Sequence, residues 1–264
     1  MTARGIEGAV FLDSIFGLMK QSGESFVRGT QMIGESRRLH LGCGLNTPEG
    51  WTHVDGSWNA WVAKYPTLRR MFKAIHLLPA DREDIAWNPD IIIHDLRKPL
   101  PFPNDHFTAI YASHLLEHLY REEAKALLKE CVRVLIPGGI LRMVVPDLRS
   151  ILSEYMGGQP SGDGSGNMDA NNRADRLNQR LMFRSCEPRS GNIFLRIYSS
   201  LKDLHSHKWM YDADSLIFYF REAGLLNVRE MGYLRSQIEG IEKIEKGESI
   251  LNGEGICVEG WKAG

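Results

Sequence analysis

A chain of 264 residues with 43% hydrophobic and 25% charged residues has the composition of a globular protein with a large core. Its formal net charge of −1 disfavours a nucleic-acid partner, because the chain has no excess of positive charge. The four cysteines, Cys43, Cys131, Cys186 and Cys257, show no paired spacing. We therefore expect reduced thiols in a cytoplasmic protein rather than a disulfide framework.

The N-terminal extension, residues 1–37, contains the apolar stretch "GAVFLDSIFGLM" (8–19), which Asp13 and Ser14 interrupt. The stretch is too short to span a bilayer, so we expect no membrane span. Its apolar residues recur at helical spacing, which predicts a helix. That helix would pack on the core, cover a site as a flap, or form the contact of a homodimer.

Apolar runs and helical patterns alternate from residue 38 onward. The predicted strands are 38–42, 51–55, 90–95, 107–113 and 140–147, and the predicted helices are 58–75 and 121–135. This alternation is typical of a parallel sheet that helices cover on both faces. We assign residues 38–150 to this α/β core.

An insertion at residues 151–207 interrupts the core. Within it, "GGQPSGDGSGNMDANNRADR" (157–176) is rich in Gly, Ser, Asn and Asp, which predicts a mobile loop that acts as a lid. The α/β pattern resumes over residues 208–264. That part contains a predicted helix at 212–225 and two strands at 227–234 and 255–262, which could form an antiparallel edge.

A glycine turn, Gly42 to Gly44, follows the first strand, and Asp55 ends the second. Position 47, where a dinucleotide fingerprint has its third glycine, is Thr47. Only ten residues separate Gly44 from Asp55, too few for a helix that would hold a pyrophosphate. A ligand with a ribose and no phosphate fits better, with Asp55 accepting hydrogen bonds from its hydroxyls. The alternative is a tight turn with Asp55 as a solvated cap.

The chain resembles the class I S-adenosylmethionine-dependent methyltransferases, in the small-molecule group with an L-E-H motif after the fourth strand. The matching stretches are "LHLGCG" (39–44), "HDLRKPLPFPNDHFTAIYASHLLEHL" (94–119), "VLIPGGILRMVVPD" (134–147) and "KWMYDADSLIFYFREAGL" (208–225). The resemblance implies a Rossmann-like α/β fold whose seven-stranded sheet is mostly parallel, with its last strand antiparallel. It also implies that S-adenosylmethionine lies across the C-terminal ends of the strands.

Roles for single residues follow from the same resemblance. Gly42 and Gly44 would admit the methionine part of the cofactor, and Asp55 would hold its ribose. Asp95 would accept a hydrogen bond from the adenine amino group. The implied cofactor-binding residues are Leu41, Gly42, Cys43, Gly44, Asp55, Asp95, Leu96, Ser113 and His114. The chain departs from the family in its very short first crossover.

Methyl transfer to a hydroxyl requires a base that removes the proton. The predicted catalytic residues are His114, His118, Asp147 and His207, and His205 is a further candidate base. His118 could instead bond only to backbone, and Asp147 could cap a helix. His205 and His207 could lie on the surface. The acceptor pocket is predicted to consist of His205, His207, Trp209 and Tyr211, from the stretch "HSHKWMY".

His114, Glu117 and His118 have the spacing i, i+3 and i+4, which would place them on one helix face. "HLLEH" also matches a zinc-peptidase pattern, but a strand that leads directly into the motif disfavours a peptidase. A metal-dependent O-methyltransferase that uses these three residues is an alternative, with His205 or His207 as a fourth ligand. We assign no metal from the sequence.

We therefore predict an enzyme that methylates a small molecule, with a hydroxyl of a sugar or glycan precursor as the first candidate. Carboxylate and amine acceptors remain open. The nucleobase signature Asn-Pro-Pro-Tyr is absent at 112–115, which disfavours nucleic acid. Alternatives are a regulatory protein that binds S-adenosylmethionine without transfer, and a nicotinamide-dependent oxidoreductase, against which the missing third glycine counts.

Overall fold

The computed structural model describes residues 37–57, 87–157, 171–181 and 206–264, together with Ala60. Several predicted features lie outside these residues. They are the N-terminal helix with its flap or dimer contact, almost all of the helix at 58–75, most of the lid, and His205.

Seven strands form one sheet in the order β3-β2-β1-β4-β5-β7-β6. The strands are β1 Arg38–Leu41, β2 Thr52–Asp55, β3 Ile92–Ile93, β4 Phe107–Ser113, β5 Leu135–Pro146, β6 Leu225–Met231 and β7 Gly255–Lys262. Strands β1 to β5 pair in parallel, whereas β7 runs antiparallel between β5 and β6. The predicted mostly parallel sheet with an antiparallel last strand is therefore confirmed.

The described helices are α1 Arg121–Val134, α2 Leu148–Met156, α3 Asn171–Leu181 and α4 Ala213–Glu222. Buried residues of α1 and α4, such as Leu127 and Phe220, pack with Leu39 and Leu41 of β1 in the larger core cluster. These two helices therefore cover one face of the sheet. In the part of the chain that the structure describes, every helix is too short or too polar to cross a membrane.

Strand β5 begins at Leu135, earlier than predicted, because Leu135 pairs with Phe107 before a register shift. The loop predicted at 157–176 ends earlier than expected, because α3 begins within it, at Asn171. The end of α3 is held in place. Leu181 is buried, and Arg180 pairs with Glu154 and Glu254.

The connection between β6 and β7, residues 232–254, covers the opposite face of the sheet. Its isoleucines pack with Trp51 and Tyr111 in a second core cluster; they are Ile238, Ile241, Ile244 and Ile250. Asn46 Nδ2 donates a hydrogen bond to the carbonyl oxygen of Ile244 at 2.8 Å. The ten-residue crossover between β1 and β2 contains no helix, and Trp51 at its end packs in the same cluster as the connection.

A buried ion cluster anchors this connection to the sheet. Arg142 of β5 is fully buried, and its guanidinium pairs with Glu245 and Glu259 at 2.7 and 2.8 Å. It also donates to the carbonyl oxygens of Gly232 and Arg235 at 3.0 and 3.2 Å. Burial alone would lower the pKa of Arg142, but the hydrogen bond and the charge of Glu245 raise it, so the guanidinium stays protonated.

Two histidines, His40 and His53, lie on the same face as the second core cluster, with ring centroids 5.5 Å apart. Burial and, to a smaller extent, the nearby His53 lower the pKa of His40 to about 3, against a hydrogen bond to the backbone of Asn46 that raises it. His40 is therefore neutral in the folded protein at neutral pH.

We expect the free energy of unfolding to decrease as the pH falls from 6.5 towards 3, because only the unfolded chain takes up a proton on His40 in that range. At ~1.36 kcal/mol per pH unit, this group alone destabilises the fold by about 2 kcal/mol near pH 5. Urea unfolding at several pH values measures the effect. His40→Phe keeps an aromatic ring and should lose this part of the decrease. An undiminished decrease in the variant would assign the effect to other groups.

Candidate active site

Strands β1 and β4 are neighbours, but β1 leads to β2 on one side and β4 leads to β5 on the other. Such a switch point opens a crevice at the C-terminal ends of the strands, where α/β proteins bind ligands. The residues that follow the two strands meet here. A Cβ atom on Gly42, after β1, would lie 3.3 Å from the side chain of Leu115, after β4.

The glycine turn has a conformation that favours glycine. Gly42 and Gly44 have φ values of +64° and +53°. Gly42 N donates to the carbonyl oxygen of Val54 at 2.9 Å, which fixes the turn against β2. The side chains of Leu41 and Cys43 are buried, so these residues can offer a ligand only their backbone. Around a Cβ on Gly44, no described atom would lie within 4 Å, so a ligand has room beside the turn.

Asp55 is 3% exposed and closes the turn from β2. One carboxylate oxygen accepts a hydrogen bond from Gly44 N and the other from Ser57 N, each at 2.7 Å. Asp55 therefore caps the turn, as the alternative had it, but the carboxylate is buried rather than solvated. Each oxygen keeps a second lone pair that can accept a hydrogen bond from a ligand hydroxyl.

Asp95 follows β3 and is already paired. Its two oxygens accept from Arg97 Nε at 2.8 Å and Arg97 Nη2 at 3.0 Å. Burial would raise the pKa of Asp95, but the hydrogen bonds and charge of Arg97 lower it. An adenine amino group would have to share this carboxylate with Arg97. The side chain of Leu96 lies in the core, which leaves its backbone for the predicted role.

His114 directly follows Ser113, the last residue of β4, and has a φ of +52°, which is uncommon outside glycine. The predicted helix face is not formed, because only Leu116–His118 make a single 3-10 turn. His114 Nδ1 lies 3.1 Å from Glu117 Oε1. This hydrogen bond raises the pKa of His114, whereas burial opposes the shift.

Residues 206–211 run along the C-terminal ends of β4 and β5. Lys208 N donates to the carbonyl oxygen of Glu117 at 2.7 Å. Further along, Leu148 N donates to the carbonyl oxygen of Tyr211 at 2.9 Å. Backbone bonds at both ends therefore fix this segment beside the crevice.

The segment brings His207 beside Glu117 and His118. One side-chain nitrogen or oxygen of each residue lies within 4.8 Å of the other two. The rings of His118 and His207 are 5.1 Å apart between centroids, and His118 Nδ1 lies 3.4 Å from the carbonyl oxygen of Ser206. Glu117 is fully buried and His207 is 7% exposed. We call Glu117, His118 and His207 the edge cluster.

Other predicted site residues have different surroundings. Asp147 Oδ1 accepts a hydrogen bond from Arg149 N at 2.9 Å and caps α2. This is the helix-capping role that the sequence offered as the alternative to a catalytic one. Tyr211 is 2% exposed and belongs to the larger core cluster, so its assignment to the acceptor wall is wrong. Trp209 is 40% exposed, and the guanidinium of Arg121 lies 5.6 Å from its ring centroid.

Glu117 was absent from the predicted catalytic set, although it appeared in the metal alternative. The pattern "HLLEH" was the only signal for it. Its contact with His207 depends on the fold, because 90 positions separate the two residues in the sequence.

A family profile described as the methyltransferase domain matches residues 70–143. A solved S-adenosylmethionine-dependent methyltransferase from Archaeoglobus fulgidus is 15% identical, with a TM-score of 0.43 over 93% of this chain and 94% of that one. Another from Thermotoga maritima, described as a possible histamine N-methyltransferase, is 16% identical, with a TM-score of 0.43 over 88% and 84%. A third, from Methanosarcina mazei, is 16% identical, with a TM-score of 0.42 over 86% and 92%. No curated protein matches the chain.

Proposed function

We propose that the chain is a class I S-adenosylmethionine-dependent methyltransferase and that its acceptor is a hydroxyl group of a small molecule; the methyltransferase-domain match and the sheet order support the first part. A sugar or glycan precursor is the first class to test. The observation that supports a hydroxyl is the edge cluster, at the same edge of the sheet as the glycine turn. A hydroxyl must lose its proton on methylation, and buried imidazole and carboxylate groups can assist that loss.

The residues at the crevice fit the cofactor. The room beside Gly44 admits a ligand against the backbone, and the lone pairs of Asp55 can accept hydrogen bonds from ribose hydroxyls. Asp95 would accept from the adenine amino group beside Arg97. When bound, S-adenosylmethionine supplies an electrophilic methyl group on a sulfonium.

The protein's part in the transfer is to position the acceptor and to manage its proton. Bound S-adenosylmethionine would supply the methyl group, and the edge cluster would assist the loss of the hydroxyl proton. Positioning lowers the barrier by up to ~7–11 kcal/mol. Assistance by a base contributes typically ~10²–10⁴-fold in rate. His114 and Asp147 are alternative bases.

We further propose a cytoplasmic location. The thiols of Cys43, Cys131 and Cys257 are free and buried, which supports a reducing compartment.

Two measurements test the proposal. S-adenosylmethionine and S-adenosylhomocysteine should raise the melting temperature, whereas NAD should not. Release of S-adenosylhomocysteine should then be measured with matched panels of sugars, other alcohols, amines and carboxylates, and the alcohols should give product. Product from amines or carboxylates alone would overturn the hydroxyl proposal, and stabilisation by NAD alone would overturn the cofactor.

Asp55→Ala should weaken binding of S-adenosylmethionine by about ten- to a hundred-fold, because hydrogen bonds to a charged group contribute ~1.5–3 kcal/mol each. Isothermal titration calorimetry on the folded variant measures this loss. Asp55→Asn keeps one acceptor oxygen and serves as a graded control, with a smaller loss expected. Unchanged affinity in Asp55→Ala would place the ribose elsewhere.

A further inference from the structure

The edge cluster combines two imidazoles and one carboxylate from separate parts of the chain. Glu117 and His118 lie in the 3-10 turn after β4, and His207 lies in the segment 206–211. The backbone bond from Lys208 N to the carbonyl oxygen of Glu117, at 2.7 Å, holds the turn and the segment together. The three side chains are therefore brought together by fixed backbone.

Two buried atoms of this cluster have no hydrogen-bond partner among the described residues. Glu117 is fully buried, and its Oε2 has no partner among the described residues. His207 Nδ1 is likewise buried without a partner in the described part of the chain. A buried carboxylate oxygen without a donor or cation is costly, and a buried charge is normally paired or bound to a metal.

His114 satisfies only half of the carboxylate. It bonds to Glu117 Oε1 at 3.1 Å, which leaves Oε2 for another partner. Among the described ion pairs, none joins Glu117 to a lysine or an arginine. A positive charge beside Glu117 Oε2 and the ring of His207 would satisfy the two buried atoms that have no partner among the described residues.

We infer that Glu117, His118 and His207 bind one divalent transition-metal ion. Two imidazole nitrogens with one carboxylate oxygen form a donor set that suits zinc and its first-row neighbours. Three protein ligands leave a coordination position open, as in catalytic metal sites. This ligand set differs from the one that the sequence suggested in one residue: His207, there an alternative fourth ligand, takes part, whereas His114 bonds to Glu117 instead.

The open position gives the ion a role at the acceptor. An acceptor oxygen bound there would be held at the C-terminal edge of β4, beside the crevice, and its proton would be more acidic. This role rests on the proposed function, whereas binding of the ion does not.

The test is zinc binding by the full chain, with neither cofactor nor acceptor present. After treatment with a chelator, the wild-type protein should bind one Zn²⁺ per chain in isothermal titration calorimetry. Loss of an outer-shell partner alone costs ~10–100-fold in affinity, so loss of a ligand in His207→Ala or His118→Ala should cost at least about 100-fold. His106→Ala serves as the matched control, because His106 precedes β4 at the opposite edge of the sheet and should keep wild-type affinity.

The variants also cover the risk that one of them does not fold. Glu117→Gln keeps the shape of the buried side chain and should weaken zinc binding similarly, and circular dichroism shows which variants are folded. Zinc binding lost in the folded ligand variants but kept in His106→Ala supports the site. No zinc uptake by the wild type, or equal affinity in all folded variants, overturns it. Failure to find a methyl acceptor leaves these results unaffected.

Discussion

Replacing Arg142 by Met should lower the free energy of unfolding by about 3–5 kcal/mol, the cost of breaking a buried ion pair by removing one partner. The guanidinium lies between Glu245 and Glu259, all three side chains being fully buried. Its hydrogen bonds also reach the carbonyl oxygens of Gly232 and Arg235. Met fills much of the volume but leaves two carboxylates without a cation.

Urea unfolding at neutral pH measures this loss. The matched control is the triple variant Arg142→Met, Glu245→Gln, Glu259→Gln, which removes the charges together with the cation. It should be more stable than Arg142→Met alone, because no uncompensated charge remains buried. Equal stability of the single and triple variants would mean that packing, rather than charge, accounts for the effect.

The second large effect is expected on catalysis, at His207. His207→Ala should lower turnover by about 10²–10⁴-fold, the range for a group that assists proton transfer. The affinity for S-adenosylmethionine should change little, since none of the proposed cofactor contacts involves His207. The measurement is steady-state release of S-adenosylhomocysteine with the best acceptor from the alcohol panel, which separates kcat from the KM of the cofactor.

The control for this experiment is again His106→Ala, which should retain turnover. If His207→Ala had full turnover while remaining folded, the edge cluster would not handle the acceptor's proton. Catalysis would then have to rest on His114 or Asp147, although Asp147 already caps α2.

Features of the site that depend on neighbouring residues could be predicted from the sequence. The glycine turn and Asp55 were found from their spacing, because Gly44 and Asp55 lie eleven positions apart and bond directly. Strands β1, β2, β4 and β7 were predicted almost to the residue.

Features that depend on distant contacts could not be predicted. His207 joins Glu117 only because residues 206–211 bond along the ends of β4 and β5. Tyr211 has the residue type of a pocket wall, but that bonding places it in the core. The i, i+3, i+4 spacing after β4 suggested a helix, whereas the left-handed φ of His114 and a single 3-10 turn give a different arrangement.

The cover formed by residues 232–254 has a consequence for how the chain folds during synthesis. Trp51 packs with Ile244 in the second core cluster, and Arg38 donates to the carbonyl oxygen of Glu239, 201 positions later. At a synthesis rate of ~5–20 residues per second, roughly 10–40 s pass between the emergence of β2 and the emergence of residues 232–254, which pack on the adjoining Trp51. A nascent chain that ends after β6 would contain all five parallel strands. It would still lack residues 232–254, which cover one face of the sheet. Such an intermediate would expose apolar surface that chaperones bind and that promotes aggregation.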